Sequence, residues 1–436
     1  MTVQISSLIN FEQGLVDRRI FGDPEIYDLE RERVFARSWL YLGHESEIPK
    51  PNDFCSAYMA EEPVLLCRDS DGQIRAFLNV CRHRGNRVCR ADRGNSKSFT
   101  CSYHGWTYSN QGELVGLPMS ESYPNFDRKR WGLIPTSQLQ SYKGLIFATF
   151  DPEAPTLREY LGDIAWYLDI FLDRREGGTE VGRPHKWMVN ANWKTAAEGF
   201  AGDSYHVPIS HASARQVGLD TTNDSMRQRR VGTQIMCGNG HALQAWRCPP
   251  DQGHAWFAQP AEMENYIKEH ASEIESRLGP LRARTIAPSA GTVFPNFSFH
   301  CLSCTIRVWL PRGPRRMEIW SWALVDKTAS PEMKRIMTRY SESRFSPTGM
   351  FEQDDVENWI QMTEAATSSV AKRFPVNYQM NLGQQPQEDD IPGRLASKWS
   401  DANQLHFYRQ WLKLMDAEGR SGVKDGGSPH GYRSSL

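Results

Sequence analysis

The period of the apolar positions changes several times along the chain, and those changes divide it. In "DPEIYDLERERVFARSWLYL", residues 23–42, Ile26, Leu29, Val34 and Phe35 recur at helical spacing. Asp23 stands where an N-cap is wanted and Pro24 at the first helical position, so the pattern predicts a helix over 23–42. The period then shortens. "PVLLCR" and "QIRAFLNV" flank Asp69–Gly72, a turn signal between two strands. "GWTYSNQGELVG" repeats that arrangement, and "GLIFATF" at 144–150 reads as a further strand. The pattern predicts a helical arm over 1–39 and a small antiparallel β domain over 40–150.

Asp151–Pro155 interrupts the strands. Thr156 and Glu159 make a capping-box pattern ahead of a helix running to about Leu172. After a loop at "RREGGTEVGR", the strand-like "HKWMVN" leads into "NWKTAAEGFAGDSYHVPISHA", read as a helix that Pro208 ends. Residues 261–278 place Met263, Tyr266, Ile267, Ile274 and Leu278 on one side of a helix. "GTVFPNFSFHCLSCTIRVWLPRG" and "RRMEIWSWALVDK" alternate like strands, and a helix follows near Gly349–Thr363. The mixture predicts a larger α+β domain over 151–418. The polar, Gly/Ser-rich tail at 419–436 is expected to hold no fixed structure.

Composition narrows the function. With 436 residues, 39% of them apolar and 24% charged, the chain has an ordinary globular balance. A net charge of -1 without a long basic run argues against nucleic acid or anionic membrane as a partner. The N-terminus shows no basic start followed by an apolar stretch, and no run is long enough to span a bilayer, so a cytoplasmic protein is expected. Nine cysteines, an odd number at irregular spacing, point to bound metal or buried thiols rather than a disulfide scaffold.

"NVCRHRGNRVCRADRGNSKSFTCSYHGWTY", residues 79–108, holds two Cys/His pairs, Cys81-x-His83 and Cys101-x-x-His104. Thiolates favour zinc or iron–sulfur clusters, and imidazole suits either. Zinc sites of the finger type commonly pair Cys with Cys and His with His. Here each pair is mixed, an order that resembles the Rieske [2Fe–2S] motif, in which two His replace two Cys on one iron. The resemblance assigns Cys81 and Cys101 to one iron and His83 and His104 to the other. Gly85 and Gly105 follow the histidines where tight loops need permissive backbone. Cys89 reads as a small buried residue.

A cluster of this kind moves electrons, and a second site must use them. In "EGFAGDSYHVPISH" Asp203 and His206 are spaced to share a helix face, and His211 follows beyond Pro208. Two imidazoles and one carboxylate make the facial triad of non-haem Fe(II) oxygenases. Alone, two histidines five apart are weak evidence. The Rieske-like motif upstream changes that, as does the likeness of Asn192–His211 to the iron-binding segment of ring-hydroxylating dioxygenase large subunits. "FSPTGMFEQDDVENW", residues 345–359, resembles that family's carboxylate helix, and the matching ligand is Asp355, with Asp354 the nearest competitor.

The resemblance runs from about Ile20 to about Gln410 and includes "ARSWLYLGHESEIPKPNDF", "YKGLIFATF", "LGDIAWYLD" and "FEQDD". The chain is similar to α subunits of Rieske-type aromatic-ring dioxygenases, nearest the phenylpropionate, biphenyl and naphthalene group. This implies an α+β fold: an N-terminal Rieske antiparallel β domain on a helix-grip (Bet v 1/START-like) catalytic domain. It implies one [2Fe–2S] cluster and one mononuclear Fe(II), and addition of both atoms of O2 to an aromatic ring to give a cis-dihydrodiol. A Rieske monooxygenase of the salicylate hydroxylase or demethylase type is the alternative. A bare electron carrier would not need the residues after the cluster domain.

By the same resemblance Asp203 is not a ligand. It hydrogen-bonds His206 and, across a subunit boundary, His104 of the neighbouring chain, which implies a ring of three α subunits, often with three β subunits. No nicotinamide or flavin motif stands in the chain ("GNGHAL" lacks the last glycine of G-x-G-x-x-G), so electrons are expected from a ferredoxin and an NAD(P)H-dependent reductase. Cys301-x-x-Cys304 has no second pair and reads as core thiols. Phe200, Phe294 and Phe351 are expected as pocket walls. Gly199 departs from relatives, which often carry a larger polar side chain there.

Overall fold

Asp23 accepts a hydrogen bond from the Glu25 N–H at 2.9 Å and starts the helix Pro24–Arg33. The computed structural model describes residues 4–217, 231–249, 260–385 and 389–417. The helix is shorter than its apolar spacing predicts. Ser38 turns to extended backbone, and Leu40–His44 becomes a strand between Leu145–Thr149 and the turn beyond it. Leu40, Tyr41, Gly43 and His44 gain a sheet neighbour that an isolated helix cannot offer, so pairing overrides the local period.

Residues 40–149 are antiparallel strands. One sheet runs Ile74–Leu78, Glu62–Arg68, Asp53–Met59, Arg93–Asn95, and a second runs Leu114–Gly116, Thr107–Ser109, Ser98–Thr100. Asp69–Gly72 closes the hairpin between Glu62–Arg68 and Ile74–Leu78, as its turn residues predict. Phe54, Leu65, Phe77, Trp106, Tyr108 and Leu133 form the core of this region together with Cys81 and Cys101.

Beyond residue 150 the expected helix from Thr156 divides. The capping box forms, but Gly162 adopts φ +50 and separates Leu157–Leu161 from Ile164–Leu172. Nine strands then build one antiparallel sheet. Its order is Thr179–Val181, Met317–Asp326, Thr305–Pro311, Phe297–His300, Ile286–Val293, Ala242–Arg247, Val231–Met236, Arg394–Ser397, with His185–Val189 also paired to Met317–Asp326. The helix Trp193–Phe200 lies across the three central strands, and the helices Met350–Thr367 and Ala402–Asp416 pack against it. This is the α+β, helix-grip arrangement that the resemblance implies. Cys301 and Cys304 are buried thiols of the main core.

The N-terminal arm is part of this second core. Ile20, Phe21, Ile26 and Phe35 pack with Trp193, Tyr408 and Trp411. At their centre the buried Lys194 ammonium lies 2.6 Å from Glu30, whose carboxylate also accepts from Trp193 Nε1 at 2.9 Å and Trp411 Nε1 at 2.8 Å. A buried charge pair is strongly destabilising to break, because removing either partner leaves an uncompensated buried charge. Here it holds the site helix against the arm and the last helix. No helix among the described residues is long and apolar enough to cross a membrane. The tail at 419–436 lies outside the described residues.

Candidate active site

The site helix stops well before Pro208. Gly202 takes φ +124, and a Cβ there would meet Asn403 Nδ2 at 2.8 Å and Gln244 N at 3.0 Å. The helix ends at Phe200, and Pro208 sits instead in the first turn of the short helix Val207–Ser210. Asp203 and His206 therefore share a turn, not a helix face. Asp203 Oδ1 accepts from Tyr205 N at 2.8 Å, which fixes the turn. Gly202→Ala is expected to lower stability by about 1–3 kcal/mol, read as a fall in the thermal midpoint of unfolding.

That turn, with the short helix after it and one distant helix, aims three side chains at one point. His206 Nε2 and His211 Nε2 each lie 3.4 Å from Asp355 Oδ1. Asp355 comes from the distant helix Met350–Thr367. Behind the rings, Asp203 Oδ2 lies 3.0 Å from His206 Nδ1 and Asp354 Oδ2 lies 3.2 Å from His211 Nδ1. The adjacent acids 354 and 355 thus separate by function: one faces the point of convergence, the other backs a histidine. Among the described residues, only His206, His211 and Asp355 bring three such donors within 4.8 Å of one another.

These donors fit a mononuclear metal. Carboxylates on both Nδ1 atoms keep both Nε2 lone pairs turned inward. Burial disfavours a charged His206, but Asp203 and Asp355 outweigh it and push the imidazole up to about 10, so a metal competes with a proton at this ring. Metal loading displaces that proton and so strengthens as pH rises.

The cluster motif folds as two matching knuckles. Gly85 N donates to Cys81 O at 2.9 Å and Gly105 N to Cys101 O at 3.0 Å, with φ +76 and +74 at the glycines. Both cysteines are buried, whereas His104 is exposed. The His83 and His104 rings stand 4.5 Å apart, and His83 stacks on Trp106 at 4.9 Å. His83 Nδ1 is buried with no hydrogen-bond partner, as a ligand nitrogen would be. The four donors do not converge on one point, which a single tetrahedral zinc requires. They form a cysteine pair and a histidine pair, a donor set that fits a two-iron cluster. Burial raises the Cys101 thiol, but N–H groups of Tyr103 and His104 and the Asn86 amide outweigh it, so its net shift is toward thiolate.

Over the His206/His211/Asp355 point opens a cavity of about 770 Å³, within the usual range for small ligands. Gly199, Phe200 and Phe351 line it, as expected, and so do Trp359, His300 and Arg344, which the sequence reading did not single out. Their only local signals are a histidine ending an apolar strand and an arginine ahead of "FSPTGM". Phe294 is a correction. It is fully buried, with its ring 5.0 Å from Phe407, and does not line the cavity. A Cβ on Gly199 would meet only Trp359 Nε1, at 3.6 Å, so the glycine leaves open volume rather than serving the backbone.

Glu198 lies beside this volume, buried, with the Tyr378 hydroxyl donating to its oxygens at 2.9 and 2.8 Å. Burial pushes its carboxyl up to about 8, and the hydroxyls of Tyr408 and Tyr378 hold it back only in part. The folded chain therefore binds a proton that the unfolded chain releases above its ordinary value of 4.5. Stability of the metal-free protein should fall, by a few kcal/mol on the order of magnitude, as pH rises from about 4.5 to about 8. Glu198→Gln should flatten that slope, as denaturant unfolding across the range would show.

A cluster domain joined to a sheet-and-helix domain with a His/His/Asp point under a cavity defines a Rieske non-haem iron oxygenase. Residues 38–136 match the Rieske [2Fe-2S] domain family, and residues 157–417 match the ring hydroxylating alpha subunit (catalytic domain) family. The chain belongs to the α subunits of Rieske ring-hydroxylating dioxygenases. It is 41% identical to chlorobenzene dioxygenase subunit alpha of Cupriavidus sp. (strain PS12), over 94% of this chain and 93% of that one. Biphenyl dioxygenase subunit alpha of Paraburkholderia xenovorans (strain LB400) is 39% identical over 94% and 93%. The structure of naphthalene 1,2-dioxygenase from Rhodococcus sp. bound to indole superposes with a TM-score of 0.82 at 40% identity, covering 93% of this chain and 95% of that one.

Proposed function

We propose that this α subunit adds both atoms of O2 to a ring of an aromatic hydrocarbon or a close derivative, giving a cis-dihydrodiol. Arene, O2, two electrons and two protons balance the reaction. The observation that carries the reading is the convergence of His206 and His211 Nε2 on Asp355 Oδ1 beneath an apolar cavity. His206, His211 and Asp355 hold the mononuclear iron, and Cys81, Cys101, His83 and His104 hold the cluster. When bound, the cluster supplies electrons singly and the mononuclear iron supplies open positions for O2.

The chain's own groups do the rest. Asp203 and Asp354 fix the two imidazoles by their Nδ1 atoms. Phe200 and Phe351 hold a flat ring against the site and keep bulk water away. Asp203 also reaches His104 of a neighbouring subunit. Asp203 is half-buried and His104 exposed, so both can meet at a subunit boundary. That contact implies a ring of three α subunits; membership of the family adds β subunits as further partners and a ferredoxin with an NAD(P)H-dependent reductase as the electron source.

The test is turnover under labelled O2 with reduced ferredoxin, over a panel from benzoate to biphenyl and phenanthrene. Two labelled oxygens in a dihydrodiol are expected. One labelled oxygen would replace this reading with a monooxygenase.

A further inference from the structure

His300 is the last residue of the strand Phe297–His300 and caps the turn Cys301–Ser303. Its Nδ1 accepts the Ser303 N–H at 3.2 Å. With that nitrogen committed as acceptor, the ring proton stands on Nε2. Nε2 has one neighbour, Ser289 Oγ, at a long 3.4 Å. Both side chains line the cavity. A row of rings runs along the wall from there: His300 lies 5.0 Å from Phe345, Phe345 5.8 Å from Phe351, and Phe351 4.9 Å from His211. A donor therefore stands at the far end of a row of rings that begins at the proposed iron ligands.

The surroundings select the ligand atom. Burial, then the charges of Arg307 and Arg344, push His300 down to about 3, so the ring is neutral and Nε2 is its single donor. Arg307 is paired with Glu352 at 2.5 Å, while Arg344 lines the cavity. A buried donor left without an acceptor is costly, so a neutral Nε2–H favours a ligand oxygen over another donor or a plain hydrocarbon edge. Capping uses only Nδ1 and leaves Nε2 with one long contact to Ser289 in a mostly apolar cavity.

We propose that His300, with Ser289 beside it, recognises an aromatic substrate that carries a carbonyl oxygen. The Nε2–H donates to that oxygen and sets which ring edge meets His206, His211 and Asp355. The inference rests on the ring-dioxygenase reading and names its substrate class.

Benzophenone and 1,1-diphenylethylene differ in C=O against C=CH2 and share a shape, so they make the test pair. Their dissociation constants should be measured on the iron-loaded holoenzyme without reductant, in wild type, His300→Leu, His300→Gln and Ser289→Ala. Wild type should prefer the ketone by about ten-fold, the worth of one buried hydrogen bond. His300→Leu should bring the two ligands to parity with the alkene unchanged, and move the carbonyl infrared band of bound benzophenone to higher frequency. His300→Gln, which keeps a donor and a cap, should restore part of the preference.

A wild-type ratio near one, or a ratio that His300→Leu leaves alone, overturns the proposal. If His300→Leu does not fold, Ser289→Ala and His300→Gln decide on the same ratio and band. Discrimination without oxidation of any arene in the panel would overturn the dioxygenase reading and leave the binding point standing. Oxidation without discrimination would overturn this inference alone.

Discussion

Asp355→Ala should cost the protein its mononuclear iron and its product while the visible spectrum of the cluster stays unchanged. Both imidazole Nε2 atoms lie 3.4 Å from the same Asp355 oxygen, so this side chain closes the donor set. Losing a partner behind a ligand typically costs about 10–100-fold in affinity or activity, and losing the ligand should exceed that. The cluster donors come from residues 81–104, in a core of their own, and should not respond. Iron analysis, the absorption spectrum and product formation on one sample check all three statements. Asp354→Ala should be milder, because Asp354 backs His211 rather than facing the metal. Equal effects of the two substitutions would reverse the assignment.

Asp203→Asn should leave both metal sites loaded and slow electron passage between them by about 10–100-fold. Asp203 contacts His206 Nδ1 at 3.0 Å, and its carboxylate is held ionised: burial opposes this, but the His206 hydrogen bond outweighs it and the group is lowered. The amide keeps the shape and removes the charge. The readout is the rate at which the reduced cluster is oxidised after mixing with substrate and O2. An undiminished rate would remove Asp203 from the electron path. A loss of iron instead would make it a positioning residue for His206 alone.

The two sites were legible in the sequence to different degrees. The cluster motif is local: its four donors lie within 24 residues, and the mixed Cys/His order alone separates it from zinc. The glycines after each histidine announced their loops, and both take positive φ. His206 and His211 were also readable, though the element that holds them was not. A long helix ended by Pro208 was a fair local reading. Gly202 takes φ +124 where any side chain would collide with Asn403 and Gln244, far along the chain, and the helix ends earlier.

The strand at Leu40–His44 was hidden for the same reason. Its apolar residues suit a helix until Leu145–Thr149 arrives to pair with them. Phe294 shows the converse. Its place in an apolar strand near the site suggested a pocket wall, but Phe407 covers its ring.

What the sequence determined by itself is whatever depends on residue type at short range: the cluster motif, the turns and caps, the periods of most strands, and the two histidines. Residue type does not tell the acids 354 and 355 apart, and in the sequence only the family resemblance names Asp355; the tertiary structure turns Asp355 to both Nε2 atoms and Asp354 behind His211, since one helical step turns a side chain by about 100°. It alone decided that His300, 89 positions after His211, shares a wall with it. Such pairings depend on how the sheet and helices pack across the chain, and no local pattern carries that information.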